Sequence, residues 1–352
     1  MSAGTSSGER RGSGPDGART ADLRLLFYNA FLLRAGRVPW PGRPRYVHAA
    51  PAVDARAHEL GRRLAGRYDV AALSEVFDLA ERRAVVSGWR HARPGRRHHH
   101  RLRTAVGPPL LRRVPLLKTS GLFTVVDGPA LTRTATHLYR SRGHRFLDSD
   151  AWAHKGALLA QVDVGLEADL EIYSTHLIAG GDLLLPRERG HRSAVADFRQ
   201  AQAHELLDFV RRTHQRGNAV LLVGDFNIDA LDPSPAYADL AAAMDDAGYD
   251  DVWAAHGEGP GPTCDLRSLA PGRAAPDPED PDLCLDGDLD GEPAGGRIDH
   301  AWLRRPREGD GVAVEVRAVR RAAFPRDPGA EGHEQLGFLS DHLGLHLELR
   351  LR

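Results

Sequence analysis

Five short hydrophobic runs, spread over more than 300 residues, each end in an acid, amide or imidazole side chain. They are Leu25-Leu26-Phe27-Tyr28-Asn29, Ala72-Leu73-Ser74-Glu75, Ile172-Tyr173-Ser174-Thr175-His176, Leu221-Leu222-Val223-Gly224-Asp225-Phe226-Asn227 and Leu339-Ser340-Asp341-His342. A buried strand ending in a polar side chain holds that group rigidly at a sheet margin, where loops carry chemistry. Five such endings of complementary type constrain the fold, because their strands must lie side by side for the groups to meet.

The elements between these runs alternate. Strands are expected at Leu23–Tyr28, Asp69–Leu73, Gly121–Val126, Ala157–Val164, Leu170–Ser174, Ala219–Val223, Ile298–Leu303, Val312–Val319 and Leu343–Leu349, with Ala157–Val164 half buried. Helical spacing runs over Val53–Arg67, with its arginines on the outer face, and over Ser193–Arg212 and Tyr237–Ala247. Strands that alternate with helices and also follow one another predict an α/β fold with mixed sheets. At 352 residues, with 41% hydrophobic and 27% charged side chains, the chain can bury a substantial core. Residues 1–20, rich in Gly, Ser and Arg, read as a disordered tail. Residues 21–352 read as one domain carrying loop insertions at about 88–118 and 266–296.

A net charge of -1 favours neither a polyanionic nor a polycationic partner. Charge is uneven, however: from Arg82 to Val126 there is no acid among eleven Arg or Lys, with His98-His99-His100 inside. Such a segment attracts nucleic acid or an anionic membrane, and Pro108, Pro109 and Pro115 among Leu110, Leu111, Leu116 and Leu117 add an apolar component that suits membrane. The stretch Pro271–Gly296 is rich in Pro, Gly and acid. Its Asp286-Gly-Asp288-Leu-Asp290-Gly291 opens like a calcium loop, but Arg297 stands where a bidentate Glu is needed. Cys264 and Cys284 are too few for a disulfide framework and read as thiols. Arg10-Arg11 is followed by no apolar run and no segment has the length of a membrane span, so a cytoplasmic protein, peripheral to membrane at most, is expected.

Chemically, Glu75 and Asp341 offer hard oxygen ligands and Asn29 a neutral oxygen, a set suited to Mg²⁺ or Mn²⁺. In Gly224-Asp225-Phe226-Asn227, the glycine lets the strand turn, and Asp225 and Asn227 project to one side. Asp225 could hold or deprotonate a water, and Asn227 could donate to a phosphoryl oxygen. His176 and His342 are candidate acid–base and charge-stabilising groups. Asp299, in Arg297-Ile298-Asp299-His300, could orient His342 by accepting its other ring proton. The lysines are only Lys118 and Lys155, and near phosphate a compact ammonium is not interchangeable with a planar guanidinium.

Taken together in order, these motifs resemble the endonuclease/exonuclease/phosphatase superfamily, with its DNase I-like fold, over roughly Leu23 to Leu349. The resemblance implies a four-layer α/β sandwich, two mixed sheets face to face with helices outside and a site at one end. It implies that Asn29, Glu75 and Asp341 serve a catalytic Mg²⁺, that Asp225 and Asn227 orient water and phosphate, and that His342 on Asp299 is the base or phosphate-stabilising imidazole. His176 would stabilise the transition state or leaving group. Within the superfamily, Ser174-Thr175-His176-Leu177, the Asp150-Ala-Trp-Ala-His154-Lys155-Gly156 segment, Ser120-Gly121-Leu122 and Pro262-Thr263-Cys264-Asp265 resemble neutral sphingomyelinase-like phosphodiesterases, which implies that Lys155 neutralises a phosphate or supports an active-site acid. His300 departs from the Tyr often found there, and no aromatic pair between Arg304 and Phe338 matches the membrane hairpin of secreted bacterial members. A phosphate-ester substrate, a phospholipid head group above all, is therefore expected; a nuclease, a sugar or inositol phosphatase and a catalytically silent binding protein are the alternatives.

Overall fold

Two six-stranded sheets form the body of the molecule, in a computed structural model that describes residues 19–33, 37–38, 45–46, 50–94, 119–141, 154–180, 189–264, 283–285, 295–307, 309 and 311–352. The described elements in chain order are β1 (Ala21–Leu32), β2 (Arg37–Val38), β3 (Arg45–Tyr46), α1 (Val53–Leu64), β4 (Val70–Val76), α2 (Leu79–Ala92), β5 (Phe123–Val126), β6 (Ala130–Leu138) and β7 (Gly156–Asp163). There follow β8 (Leu170–His176), α3 (Arg189–Thr213), β9 (Ala219–Asp225), α4 (Ala236–Asp246), β10 (Tyr249–Asp251), α5 (Val252–His256), β11 (Leu283–Leu285), β12 (Asp299–Arg304), β13 (Val314–Ala323) and β14 (Gly344–Leu351). One sheet has the order β11-β13-β14-β1-β4-β5 and the other β10-β12-β9-β8-β7-β6, with β2 and β3 as a separate pair. The β1–β4 and β8–β9 pairs are parallel and their neighbours antiparallel, so both sheets are mixed.

Side-chain alternation sorts the apolar residues into three layers of core. Leu25, Phe27 and Ala72 of the first sheet meet Ile172, Leu221 and Val223 of the second between the sheets. Leu26, Tyr28 and Leu73 face the opposite way, onto Leu60 and Leu64 of α1 and Val85 and Trp89 of α2. Tyr173 and Leu222 pack outward on Leu206 and Val210 of α3 and Leu240 of α4. Central strands thus bury both faces, which is why they read as continuous apolar runs. The result is the four-layer α/β sandwich with mixed sheets.

Several elements differ from the sequence reading. The 88–118 insertion starts too early, because α2 occupies Leu79–Ala92. Its signal was present in Asp78-Leu-Ala-Glu81, a capping box in which Glu81 Oε2 accepts from the Asp78 amide at 2.8 Å. Strand β6 was missed; it lies at a sheet edge and alternates exposed and half-buried residues. Strand β7, expected half buried, is buried along nearly all its length because Ala157 and Leu159 pack outward with α3 and Val162 packs in the core between the sheets. The acidic 266–296 insert contains β11, paired with β13. Arg56, expected on the outer face of α1, is fully buried. The tail up to residue 18, the basic stretch 95–118 with His98–His100, Asp150, Asp265 and the Asp286–Gly291 motif lie outside the described residues, as does the Cys284 side chain. No helix among the described residues is long and apolar enough to cross a membrane.

Helices α1 and α2 cross at two glycines. A Cβ on Gly61 would stand 1.9 Å from Val85 O, and one on Gly88 1.9 Å from His58 O. Intrinsic propensity predicts that alanine at either position stabilises by about 1 kcal/mol. Overpacking of backbone on backbone reverses the sign, so Gly61→Ala and Gly88→Ala should each destabilise by about 1–3 kcal/mol in urea unfolding. A stabilised variant would show that the helices do not meet there.

Candidate active site

The polar strand endings converge where the two sheets face each other. Along β9, Ala219, Leu221 and Val223 point at the other sheet, and Asp225 continues that parity. The same count carries Leu170 and Ile172 to His176, Leu25 and Phe27 to Asn29, and Ala301 back to Asp299. Register then aligns them: Asp299 pairs with Asp225, Asp225 with His176, and His176 with Gly156, a row across four strands. Lys155 immediately precedes that row. The glycine at 224 is required by close approach, not by a turn: a Cβ there would lie 2.5 Å from Thr175 Cγ2 and 2.7 Å from Thr175 O.

Glu75 breaks the alternation. In β4, Val70 and Ala72 face the other sheet while Ala71 and Leu73 face the helices, so parity alone would send Glu75 to the helices. Its left-handed backbone, φ 57°, redirects it, and Oε1 accepts from Asn29 Nδ2 at 3.2 Å. Strain of this kind costs about 1–3 kcal/mol and persists only where the surroundings impose it. Here the Val76 amide is fixed to Gly121 O at 2.8 Å.

Asn29 is the hub of the site. Its Nδ2 lies 2.9 Å from Asp225 Oδ2 and 3.5 Å from His342 Nε2, while its Oδ1 accepts from the Phe31 amide at 3.1 Å. The expected oxygen ligand is therefore engaged by backbone, and Asn29 faces the acids as a donor. His342 Nδ1 sits 2.8 Å from Asp299 Oδ2. His176 Nε2 is 2.8 Å from Lys155 Nζ and 3.5 Å from Asp225 Oδ2. Asn227 forms an Asx turn, its amide donating to Asp225 Oδ1 at 2.9 Å, and its Nδ2 donates to Leu177 O at 3.1 Å. One of its two side-chain hydrogens is thus committed to backbone. Asp341, partly exposed, has Oδ1 3.3 Å from Ser340 Oγ.

Charge is concentrated and poorly solvated. Burial, then the charge of Asp341, raises the Glu75 pKa to about 7. Burial, then Asp299, raises Asp225 to about 6. Burial works against a charge on His342, but Asp299, Asp225 and Asp341 outweigh it and hold its pKa well above the ordinary histidine range. For His176 burial, Lys155 and His342 all act in one direction and keep the ring neutral. One oxygen ligand atom each from Asp225 and Asp299 and one ring nitrogen of His342 lie within 4.8 Å of one another. Asp299 Oδ1 is buried without a hydrogen-bond partner. Clustered acids with an orphaned buried oxygen fit a hard divalent cation. This cluster is not the expected set of Asn29, Glu75 and Asp341, although Glu75 and Asp341 adjoin it closely enough to shift its charges.

Three supporting residues escaped the sequence reading. The Arg56 guanidinium donates to Pro51 O at 2.8 Å, Ala30 O at 3.3 Å, Phe31 O at 2.6 Å and Leu339 O at 2.7 Å. It ties the chain after Asn29 to the loop before Asp341, and burial lowers its pKa only to about 10, so it stays charged. Thr263 Oγ1 accepts from the Ile298 and Asp299 amides at 3.3 Å, and Thr263 O accepts from the Leu343 amide at 2.7 Å. Ser340 Oγ donates to Asn29 O at 2.6 Å and accepts from the His342 amide at 3.2 Å. Of these Thr263 and Ser340 stood in noted motifs, without these roles. Arg56 carried no signal, since an arginine on a helix ordinarily faces water. His300, where a Tyr was anticipated, bonds Ile228 O at 2.8 Å through Nε2 and stacks on Tyr237.

The fold is shared with several solved structures. Beta toxin from Staphylococcus aureus, in a structure with bound magnesium ions, matches with a TM-score of 0.56 at 16% identity, over 93% of this chain and 99% of that one. Sphingomyelinase C from Streptomyces griseocarneus matches with a TM-score of 0.55 at 20% identity, over 93% and 99%. TDP2 from D. rerio, complexed with a single-strand DNA product, matches at 0.54 and 14% identity, over 93% and 98%. In sequence, a Caenorhabditis elegans protein named as a candidate neutral sphingomyelinase is 27% identical over 222 residues, 60% of this chain. The chain spans 42% of that relative's length. No family model matches. The chain has the DNase I-like fold found in the endonuclease/exonuclease/phosphatase proteins and, at its sheet ends, a cluster of two acids and an imidazole that could hold a metal ion.

Two outcomes test this geometry without substrate. Folded Glu75 keeps its proton to about pH 7, against 4.5 for the ordinary side chain, so in metal-free protein it binds more protons folded than unfolded across that window. Its contribution is fully present below 4.5 and lost as pH rises through about 7. Relative to Glu75→Gln, wild type in EDTA should lose about 3 kcal/mol of stability between pH 5 and pH 8; parallel curves would mean that Glu75 is not desolvated. Arg56→Met strands three site-loop carbonyls and should cost about 3 kcal/mol or more in urea unfolding.

Proposed function

We propose that this chain is a Mg²⁺-dependent phosphodiesterase that cleaves phospholipid head groups in the manner of a sphingomyelinase. The observation that carries the chemistry is the His342–Asp299 pair set against Asp225 and Asn29 in one buried cluster. The lipid substrate is supported by the C. elegans relative and by the two toxin and sphingomyelinase structures of the same fold. Mn²⁺ is the second cation that the same oxygen donors would accept.

Glu75, with Asp341 and Asn29 beside it and the Asp225–Asp299–His342 cluster adjoining, would hold Mg²⁺, which when bound would supply charge to neutralise phosphoryl oxygens and favour water as nucleophile. Asp225, with a pKa of about 6, is mostly ionised at neutral pH and accepts the water proton. The new P–O bond forms in line as the bond to the leaving oxygen breaks. His342, kept charged by Asp299, donates from Nε2 to a phosphoryl oxygen, and the second side-chain hydrogen of Asn227 does the same. His176 is neutral and accepts from Lys155, so it positions that ammonium against the developing charge and does not act as an acid. A nuclease of the same fold is the second reading, suggested by the DNA-product complex of the D. rerio protein.

Phosphocholine release from sphingomyelin vesicles with Mg²⁺ is expected for wild type. Glu75→Ala and His342→Ala should each lose roughly 10²–10⁴-fold in kcat while keeping the melting temperature in the folded range. EDTA should silence the enzyme, with Mg²⁺ but not Zn²⁺ alone restoring it. Turnover indifferent to EDTA, or both variants retaining full activity, would overturn the site; cleavage of an oligonucleotide in place of sphingomyelin would move the substrate to nucleic acid.

A further inference from the structure

Helix α2 begins four residues after Glu75 and has two unlike faces. Glu81, Val85, Gly88 and Trp89 are buried. On the other side Leu79, Arg82, Arg83, Val86, Ser87 and Arg90, at i, i+3, i+4, i+7, i+8 and i+11, line a shallow groove of about 590 Å³ floored by Phe123. No acid lines it. Arg83, Ser87 and Arg90 are exposed, and Leu79, 55% exposed, is the large apolar side chain that the described residues leave in solvent. Arg82 fixes the groove to the catalytic end: its Nη2 donates to Phe77 O at 2.8 Å and to Thr119 Oγ1 at 3.3 Å, just beyond the end of β4. The Thr119 hydroxyl donates to Phe77 O at 2.7 Å.

We propose that this face of α2 is a docking surface for anionic phospholipid, which sets the catalytic end of the sandwich against a membrane. The proposal rests on the lipid reading of the active site and extends it by naming the surface and the charge of the lipid. Three arginines with interleaved Leu79 and Val86 form the pattern of a helix lying in a membrane interface, with cationic groups at the phosphates and apolar groups among the upper acyl carbons. A nucleic-acid surface would offer stacking aromatics beside the arginines, whereas the aromatic here, Phe123, is a buried floor. Serine at 87 leaves space between Arg83 and Arg90 for a phosphate group.

The test separates docking from catalysis. The full chain in EDTA is sedimented with vesicles of phosphatidylcholine alone and with about a third phosphatidylserine. Wild type should sediment with the anionic vesicles only, and added salt should release it. Arg83→Gln with Arg90→Gln should weaken that binding about thirtyfold, from roughly a fivefold loss per arginine near an anionic surface, and Leu79→Ser should weaken it further. Equal binding to both vesicles, no binding to either, or double-variant binding equal to wild type overturns the docking surface. So does binding of a single-stranded oligonucleotide, in preference to vesicles, that the same variants lose. Hydrolysis of a water-soluble phosphodiester with Mg²⁺ is measured on the same wild-type preparation. Hydrolysis without sedimentation rejects the docking surface and leaves the phosphodiesterase standing; sedimentation without hydrolysis does the reverse.

Discussion

Asp225 and Asp299 sit directly opposite each other across β9 and β12, both fully buried. Like charges in that relation destabilise a sheet, and low dielectric makes the repulsion worse. The rest of the site is organised around relieving it. His342 bridges from the first sheet, hydrogen-bonded to Asp299 and held positive by both acids. Asn29, also from the first sheet, donates to Asp225. The two sheets are therefore joined at one end by polar bonds that exist because the second sheet carries two acids there. Apolar side chains fill most of the remaining space between the sheets.

That end has to stay open enough for a substrate, so its supports come from behind. Arg56 holds two site loops through backbone carbonyls, Thr263 holds the Asp299 strand and the segment after His342, and Ser340 joins Asn29 to His342. None of these three side chains presents a charge to the reacting atoms as its task; each places a neighbour that does. Opposed pKa shifts follow from the same arrangement. His342 is surrounded by acids and stays charged, while His176, beside Lys155 and His342, stays neutral. Two imidazoles that look alike in the sequence thus take different roles in the proposed reaction. The docking face proposed on α2 extends this division outward, with catalysis at the strand ends and surface recognition on the helix that follows Glu75.

Much of the fold was legible because buried central strands leave a strong signal. β1, β4, β8, β9 and β14 were each anticipated within a few residues, and the polar groups at or just before their site ends were recognised as one set. Edge elements were not. β6 carries half-buried residues with arginine and threonine outward, which resembles a loop as closely as a strand. α2 was hidden by its arginines, though its capping box was in plain view. Arg56 was read as a surface residue because nothing local distinguishes an arginine that will meet four carbonyls from one that meets water.

The sequence by itself determined the inventory of the site and the parity of its members. Alternation places Asn29, His176, Asp225 and Asp299 on the inner faces, whatever the loops between them do. Only the tertiary structure decided how they act. The register that sets Asp225 against Asp299, the left-handed turn that brings Glu75 to Asn29, and the acids that Asn29 faces all depend on partners 46 to 313 residues away. Local chemistry specifies which side of a strand a group occupies; its charge, its donor or acceptor role and its neighbours are set by what the rest of the chain packs against it.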